Sequence, residues 1–185
     1  MVELQHVGVG PAAVFEAVNS TFTSNAAVAR GGVVYADSSV LDTGGAMQAV
    51  GHGCVVNITS STLQANAALG GGINDGVGNG GALSLGALTT TTLIDTDLIG
   101  NSAVAGGAVE AFGRAACVLF VRGGLASHNT ARDGGAFVMS GGAVLYASRI
   151  VARSNRGTRY GVVSACDAIL PYAHRSICTC DPVHV

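Results

Sequence analysis

Apolar residues recur two apart along this chain. Phe15 and Ala17 are the first such pair, and Val56 with Ile58, Leu119 with Val121 and Leu145 with Ala147 follow; Thr91 and Leu93 hold the corresponding place in between. Their neighbours are more polar, and a period of two is strand spacing. Each pair stands ten and eight residues before an Asn: Asn25, Asn66, Asn101, Asn129 or Asn155. Three before each Asn stand Phe22, Leu63, Leu98, Ala126 and Ala152. Two after stand Ala27, Ala68, Ala103, Ala131 and Gly157. Five or six residues beyond the Asn a glycine pair opens a short apolar run, written "GGVVY", "GGAV" or "GGAF".

Measured between glycine pairs, the unit has a fixed length. Gly80 to Ala105 is 26 residues, Gly106 to Asp133 is 28, and Gly134 to Tyr160 and Gly44 to Gly70 are 27 each. The stretches "GGVVYADSSVLDT" (31–43) and "GGINDGVGN" (71–79) read as insertions at one corner. A constant period of this size marks a solenoid. Helical repeats are excluded, because a glycine pair in every unit costs roughly 1 kcal/mol per Gly against Ala in a helix. Leucine-rich repeats need an apolar residue five before the Asn, where this chain has Ser20, Ser61, Thr96, Gly124 and Ile150. A parallel β-helix remains, an all-β solenoid of about five to six coils of roughly 27 residues, each stacked about 4.8 Å above the last. The coils fall near 15–30, 31–70, 71–105, 106–133 and 134–160, within a repeat domain of residues 1–165.

In such a stack the same corner recurs above itself. Asn tolerates the left-handed backbone of a sharp corner, and its amide can bond to the Asn above and below. Asn25, Asn66, Asn101, Asn129 and Asn155 are therefore expected to form a structural corner ladder. The glycine pair is expected to supply a second corner with positive φ and no side-chain bulk. The repeated motif reads as scaffolding.

Composition agrees with a thin core. Mean hydropathy is +0.47, which rules out a disordered chain. Only 5% of residues are aromatic, there is no Trp, and there are 28 Gly. No apolar run reaches the roughly 18 residues of a membrane helix. The start, "MVELQHVGVGPAAVFEAV", has Glu3 and no basic segment, so it does not read as a signal peptide; an exported protein of this kind would be a fragment of a longer chain.

"FTSN" at Phe22–Asn25, "LQAN" and "LIGN" in the next two units, and "GGAL", "GGAV" and "GGAF" after them form a double signature. Over roughly residues 15–160 the chain resembles the polymorphic outer membrane protein repeat of chlamydial surface proteins. The resemblance implies a right-handed parallel β-helix of the pectin-lyase-like kind, displayed at the cell surface and adhesive. Members of that family often end in a membrane barrel, whereas this C-terminal segment is not barrel-like, and the last two Asn units carry Ala where the family prefers Phe.

Candidate chemistry is sparse. "GHG" at Gly51–Gly53 matches one piece of the polygalacturonase pattern, but the acids ahead of His52 are Asp37 and Asp42, inside the insertion. Asp95 and Asp97 fall on one side of a strand and could hold a cation weakly; an exposed polar face is the plainer reading. Convergence of three among Asp95, Asp97, His52, Arg114 and Arg122 would mark an enzyme. Cys54 and Cys117 read as small core residues. Cys166, Cys178 and Cys180 cluster in the tail with His174 and His184. Their spacing matches no standard zinc site, so they are weak metal candidates, and a disulfide among them fits an extracellular setting better. Residues 166–185 read as a C-terminal cap, with Pro171 and Pro182 denying further ladder bonds. "NST" at Asn19 and "NIT" at Asn57 fit the N-glycosylation pattern.

Charge is divided along the chain. Residues 1–105 carry a balance of −6 and residues 106–175 one of +5, with Arg149, Arg153, Arg156 and Arg159 concentrated late. In a solenoid this gives a rod with an acidic and a basic end. Nucleic acid is not expected as a partner, since aromatic interleaving is missing and the pI is near 6.2. The expectation is a non-enzymatic extracellular or cell-surface module, structural or adhesive, with no cofactor. Its expected partners are neighbouring domains or other copies through the N-terminal edge, and glycans or cell-surface proteins. A polysaccharide-active lyase or glycoside hydrolase on the same fold, or a fragment of a larger surface protein, is the alternative.

Overall fold

The structure is a computed structural model that describes residues 2–5, 14–27, 32–37, 47–50, 53–70, 78–113, 117–160, 163–165, 173–174 and 177–178. Among these residues the chain is all-β, without helix, and every strand pairing is parallel. Three principal sheets recur in the same order along the chain. The second sheet shows the rule most plainly: Val14–Val18, Val55–Thr59, Thr90–Ile94, Val118–Arg122 and Val144–Ser148 lie side by side in sequence order. The third sheet repeats this with Thr21–Thr23, Thr62–Gln64, Asp97–Ile99, Leu125–Ser127 and Val151–Arg153.

The register places like residues over like. Phe15, Val56, Thr91, Leu119 and Leu145 form one column, and Ala17, Ile58, Leu93, Val121 and Ala147 the next. Phe22, Leu63, Leu98, Ala126 and Ala152 align in the third sheet. These columns, with Leu83, Leu85, Val109, Ala111, Phe137 and Met139 of the first sheet, make one continuous core. Cys54 and Cys117 are buried in it, and the Cys117 thiol points at the Leu85 carbonyl. The core is thin enough to close with Ala, Val and Leu, so a chain poor in aromatics can fill it.

The first sheet departs from the expected order. It has seven strands against six in each of the other two. The stretch 31–43 was expected to be a corner insertion, yet Val34–Asp37 is a strand inside the sheet. It pairs with Leu83–Leu85 on one side and with Met47–Val50 on the other, although Met47–Val50 comes later in the chain. Met47–Val50 in turn pairs with Val2–Gln5. The cause is local: "GGVV" satisfies the same requirements as "GGAL". The Gly32 N–H donates to Gly81 O and the Val33 N–H to Ala82 O.

Gly106 and Gly107 show why the pair is written. Gly106 has φ of +63°, and a Cβ there would strike the Val109 carbonyl of its own unit. Gly107 has no such φ; a Cβ there would overlap the Gly135 carbonyl of the next unit. One glycine turns the chain, and the other lets stacked backbones touch. The expected positive φ is found at Gly106 alone, whereas both positions require the absence of a side chain.

The ladders also run past residue 160. Val163–Ala165 pairs with Phe137–Met139, Ala173–His174 with Ala147–Ser148, and Ile177–Cys178 with Val151–Ala152. The segment 166–185, read as a cap, thus contributes a strand to the second sheet and one to the third. Pro171 and Pro182 lie outside the described residues.

One core position carries an unmet cost. The Thr91 hydroxyl is fully buried in the column of Val56 and Leu119 and has no hydrogen-bond partner. Thr91→Val keeps the shape and removes that hydroxyl. It is expected to stabilise the protein by about 1 kcal/mol, which for this length raises Tm by about 2–4 °C. A thermal melt checks it; a lower Tm would mean that the hydroxyl is satisfied.

Candidate functional site

The repeated Asn residues sit where the third sheet ends, one per unit, and form a chain of side-chain amides. In each step the Oδ1 of one Asn accepts two bonds from the Asn before it, one from the backbone N–H and one from Nδ2. Asn25 donates both to Asn66, Asn66 to Asn101, Asn101 to Asn129, and Asn129 to Asn155, all at 2.9–3.0 Å. The second Nδ2 hydrogen turns back into the preceding unit. Asn66 gives it to Phe22 O, Asn101 to Leu63 O, Asn129 to Leu98 O and Asn155 to Ala126 O. Asn66, Asn101 and Asn129 are 0% exposed. Their two donors and two acceptor sites are all used, which is the condition for burying a primary amide.

The left-handed residue is not the Asn, contrary to the sequence expectation. Positive φ falls one place earlier, at Ser24, Ala65, Gly100, His128 and Ser154, and again six places before the Asn at Asn19, Ser60, Asp95, Gly123 and Arg149. The division follows from geometry. The residue before the Asn turns the chain with its side chain in solvent, leaving the Asn side chain pointed inward along the stack. Non-Gly residues pay roughly 1–2 kcal/mol each for that backbone, so the amide ladder has a real cost to offset.

A second, shorter polar ladder was not foreseen. The Ser61 hydroxyl accepts from the Ser20 N–H and donates to Thr59 O, and the Thr96 hydroxyl lies at 3.0–3.1 Å from Ile94 O and Ile58 O. It lapses at Gly124 and Ile150, which carry no hydroxyl. In the first sheet Glu110 is buried, and the Ser84 hydroxyl donates to its Oε2. Nothing in the spacing marks Glu110 in advance, since its counterparts are Ser84 and Val138.

The candidate chemical residues do not gather. Asp97 Oδ1 accepts from the Leu125 N–H and so serves the backbone. The Asp95 carboxylate lies over Gly123, where a Cβ would collide with it. Arg122 is exposed and makes no ion pair with either. His52 and Arg114 lie outside the described residues, as do Cys166 and Cys180; Cys178 is placed only as backbone. Among the described residues no group of three His, Cys, Asp or Glu side chains could hold a metal, and no helix is long and apolar enough to cross a membrane. Asn19 is exposed, and Asn57 faces outward with its Nδ2 at 3.4 Å from Glu16 Oε1.

Among the described residues, two open grooves can be outlined on the outside. One, about 470 Å³, crosses the second sheet between two outward columns: Thr92, Phe120 and Tyr146 on one side, Ile94, Arg122 and Ser148 on the other. The Phe120 and Tyr146 rings stack at 4.9 Å between centroids and 10° between planes. They remain 40% and 37% exposed. The other groove, about 420 Å³, is walled by Ser102, Thr130, Arg132, Arg156 and Thr158. Arg132 there is held by Asp133 at 3.0 Å. The signal for the aromatic pair was present in the sequence: Phe120 and Tyr146 both stand nine residues before a ladder Asn.

No family model, no curated protein and no solved structure matches this chain.

The ladder has a middle and an end, and the two should respond differently. Asn101→Ala strands the Asn66 N–H and the Leu63 carbonyl in a buried place and should cost about 3–5 kcal/mol. Among the described residues none donates to the Asn25 Oδ1, and the side chain is half-buried, so Asn25→Ala should cost about 1 kcal/mol. Urea unfolding of both variants measures the difference; equal losses would show that the buried amides are not what holds the units in register.

Proposed function

We propose that this chain is a right-handed parallel β-helix module of residues 1–165, closed by residues 166–185, that acts as a non-enzymatic scaffold at the cell surface or outside the cell. One observation carries the reading. The polar residue that the sequence repeats in every unit is spent inside the protein, with its amide bonded to its own stack. A repeat whose polar atoms face inward builds a surface and leaves the outward positions to vary. Stacked parallel sheets with one shared core support the solenoid. The likeness of "FTSN" and "GGAV" to the polymorphic outer membrane protein repeat supports display and adhesion.

Catalysis on polymers would need an acid and a base facing one another across a groove. The first groove offers a guanidinium, three hydroxyls (Thr92, Tyr146 and Ser148) and two aromatic rings, and its lining includes no carboxylate. We therefore expect purified protein incubated with polygalacturonate to release neither unsaturated nor new reducing ends over hours. Turnover that vanishes in His52→Ala would overturn the scaffold reading in favour of a lyase or hydrolase.

A further inference from the structure

We propose that the corner above Asn155 docks an extended acidic peptide segment of a partner protein. An Asp of that segment takes the place that the following Asn takes in every earlier unit. The inference rests on the scaffold reading and says what one corner of the scaffold holds.

The repeat itself defines the site. At each earlier corner the Asn backbone N–H and Nδ2 donate to the Oδ1 of the following Asn. A third bond runs the other way, from the N–H just after the following Asn to the carbonyl of the first. Ala67 gives it to Asn25 O, Ser102 to Asn66 O, Thr130 to Asn101 O and Arg156 to Asn129 O, at 2.8–2.9 Å. At Asn155 the Oδ1 and one Nδ2 hydrogen are engaged with the unit before. Its backbone N–H, its other Nδ2 hydrogen and its carbonyl bond to none of the described residues. The strand that follows, Arg156–Tyr160, pairs with Thr130–Asp133 on one side and with no described strand on the other. The Asn155 side chain is half-buried. Among the described residues, two donors and one acceptor thus stand open in an arrangement that every earlier corner shows filled by peptide. They lie beside an open strand edge, which recruits extended peptides.

Charge selects the side chain. Arg153 and Arg156 flank Asn155 in the sequence, both are exposed, and neither forms an ion pair among the described residues. An Asn on the incoming segment would complete the corner by shape alone. An Asp offers the same Oδ1 and adds a negative charge, and N–H bonds to a carboxylate are shorter and stronger than those to an amide oxygen. The residue after that Asp must carry an N–H for the third bond. Asp181 of this chain is followed by Pro182, which has none, so the chain's own tail lacks the full set of groups. A simple carboxylate ion lacks it too, which sets a peptide apart from other acids.

The test is a titration of the whole 15N-labelled chain with a synthetic, end-blocked hexapeptide carrying one central Asp, read by NMR at the Asn155 N–H and NH2. Those signals should move on binding, and those of Asn101 should not. The same peptide with Ala for Asp should bind about tenfold more weakly. A peptide with Asn for Asp, one with Pro after the Asp, and sodium acetate should each bind several-fold more weakly. Affinity should fall as salt rises. Arg153→Gln and Arg156→Gln should each weaken binding several-fold, and Arg122→Gln, on the second sheet, should leave it unchanged. Asn155→Asp keeps an acceptor for Asn129, replaces the NH2 donor with a charge that repels the ligand, and should abolish binding. Should that variant fail to fold, the peptide series and the Arg variants decide. Asn155 signals that do not move, equal affinity for the Ala or Pro peptide, or an equal loss in Arg122→Gln would each overturn the proposal. So would Asn155 signals that shift in Asp181→Ala without peptide, which would make the tail the occupant, or that depend on protein concentration, which would make it a second copy. Each of these results leaves the scaffold reading standing; release of new ends from polygalacturonate removes the scaffold reading and leaves the corner.

Discussion

A primary amide buried in a protein has two hydrogens to give and two lone pairs to fill. In this protein Asn66, Asn101 and Asn129 meet all four demands with one another and with a backbone carbonyl of the unit before. The rest of the structure depends on that closure. Backbone pairing lapses where the chain leaves one sheet for the next, and an unpaired N–H there would be buried at a cost of about 1–3 kcal/mol. The Oδ1 of the following unit takes that N–H. The amide thus does at the corner what a carbonyl does within a strand, and it does so only if the units are stacked in one register. A shift by one residue would put Ser24, Ala65 or Gly100 where the amide must be, and would turn the apolar columns of the second sheet outward.

Much of this was legible in the sequence, because both features are periodic. The apolar pairs ten and eight before each Asn became aligned columns, with Ile58, Leu93 and Val121 stacked as their spacing required. What was not legible has definable causes. The left-handed residue before the Asn is Ser, Ala, Gly, His or Ser, so residue type gives no signal for it. Nothing in the residue types of Val34–Asp37 and Met47–Val50 indicates that the later of the two lies beside Val2–Gln5. The two glycines of each pair look alike in sequence and do different work, one by backbone angle and one by the closeness of the next unit. Glu110 has no periodic counterpart at all.

The division of labour bears on function. Residues that repeat are consumed by the stack, and residues that do not repeat are what one such stack has to distinguish it from another. On the outward face of the second sheet the column nine before the Asn reads Glu16, Asn57, Thr92, Phe120 and Tyr146. It passes from acidic and amide side chains to aromatic ones along a single line, while the inward columns beside it stay apolar apart from Thr91. A framework in which a side chain can change without disturbing its neighbours suits a module that presents a surface. The burial of Glu110 against Ser84 has no account in these terms.

Side-chain amide hydrogen exchange, followed by NMR on protein labelled with 15N, tests the ladder most directly. Exchange of the Asn66, Asn101 and Asn129 NH2 groups should require the stack to open, so their protection should approach that of the slowest core backbone amides. The outward-facing Asn57 is the internal reference and should exchange far faster. Ladder amides that exchange as quickly as Asn57 would contradict the account, because a buried, fourfold-bonded amide cannot lose its hydrogens to water while the units remain stacked.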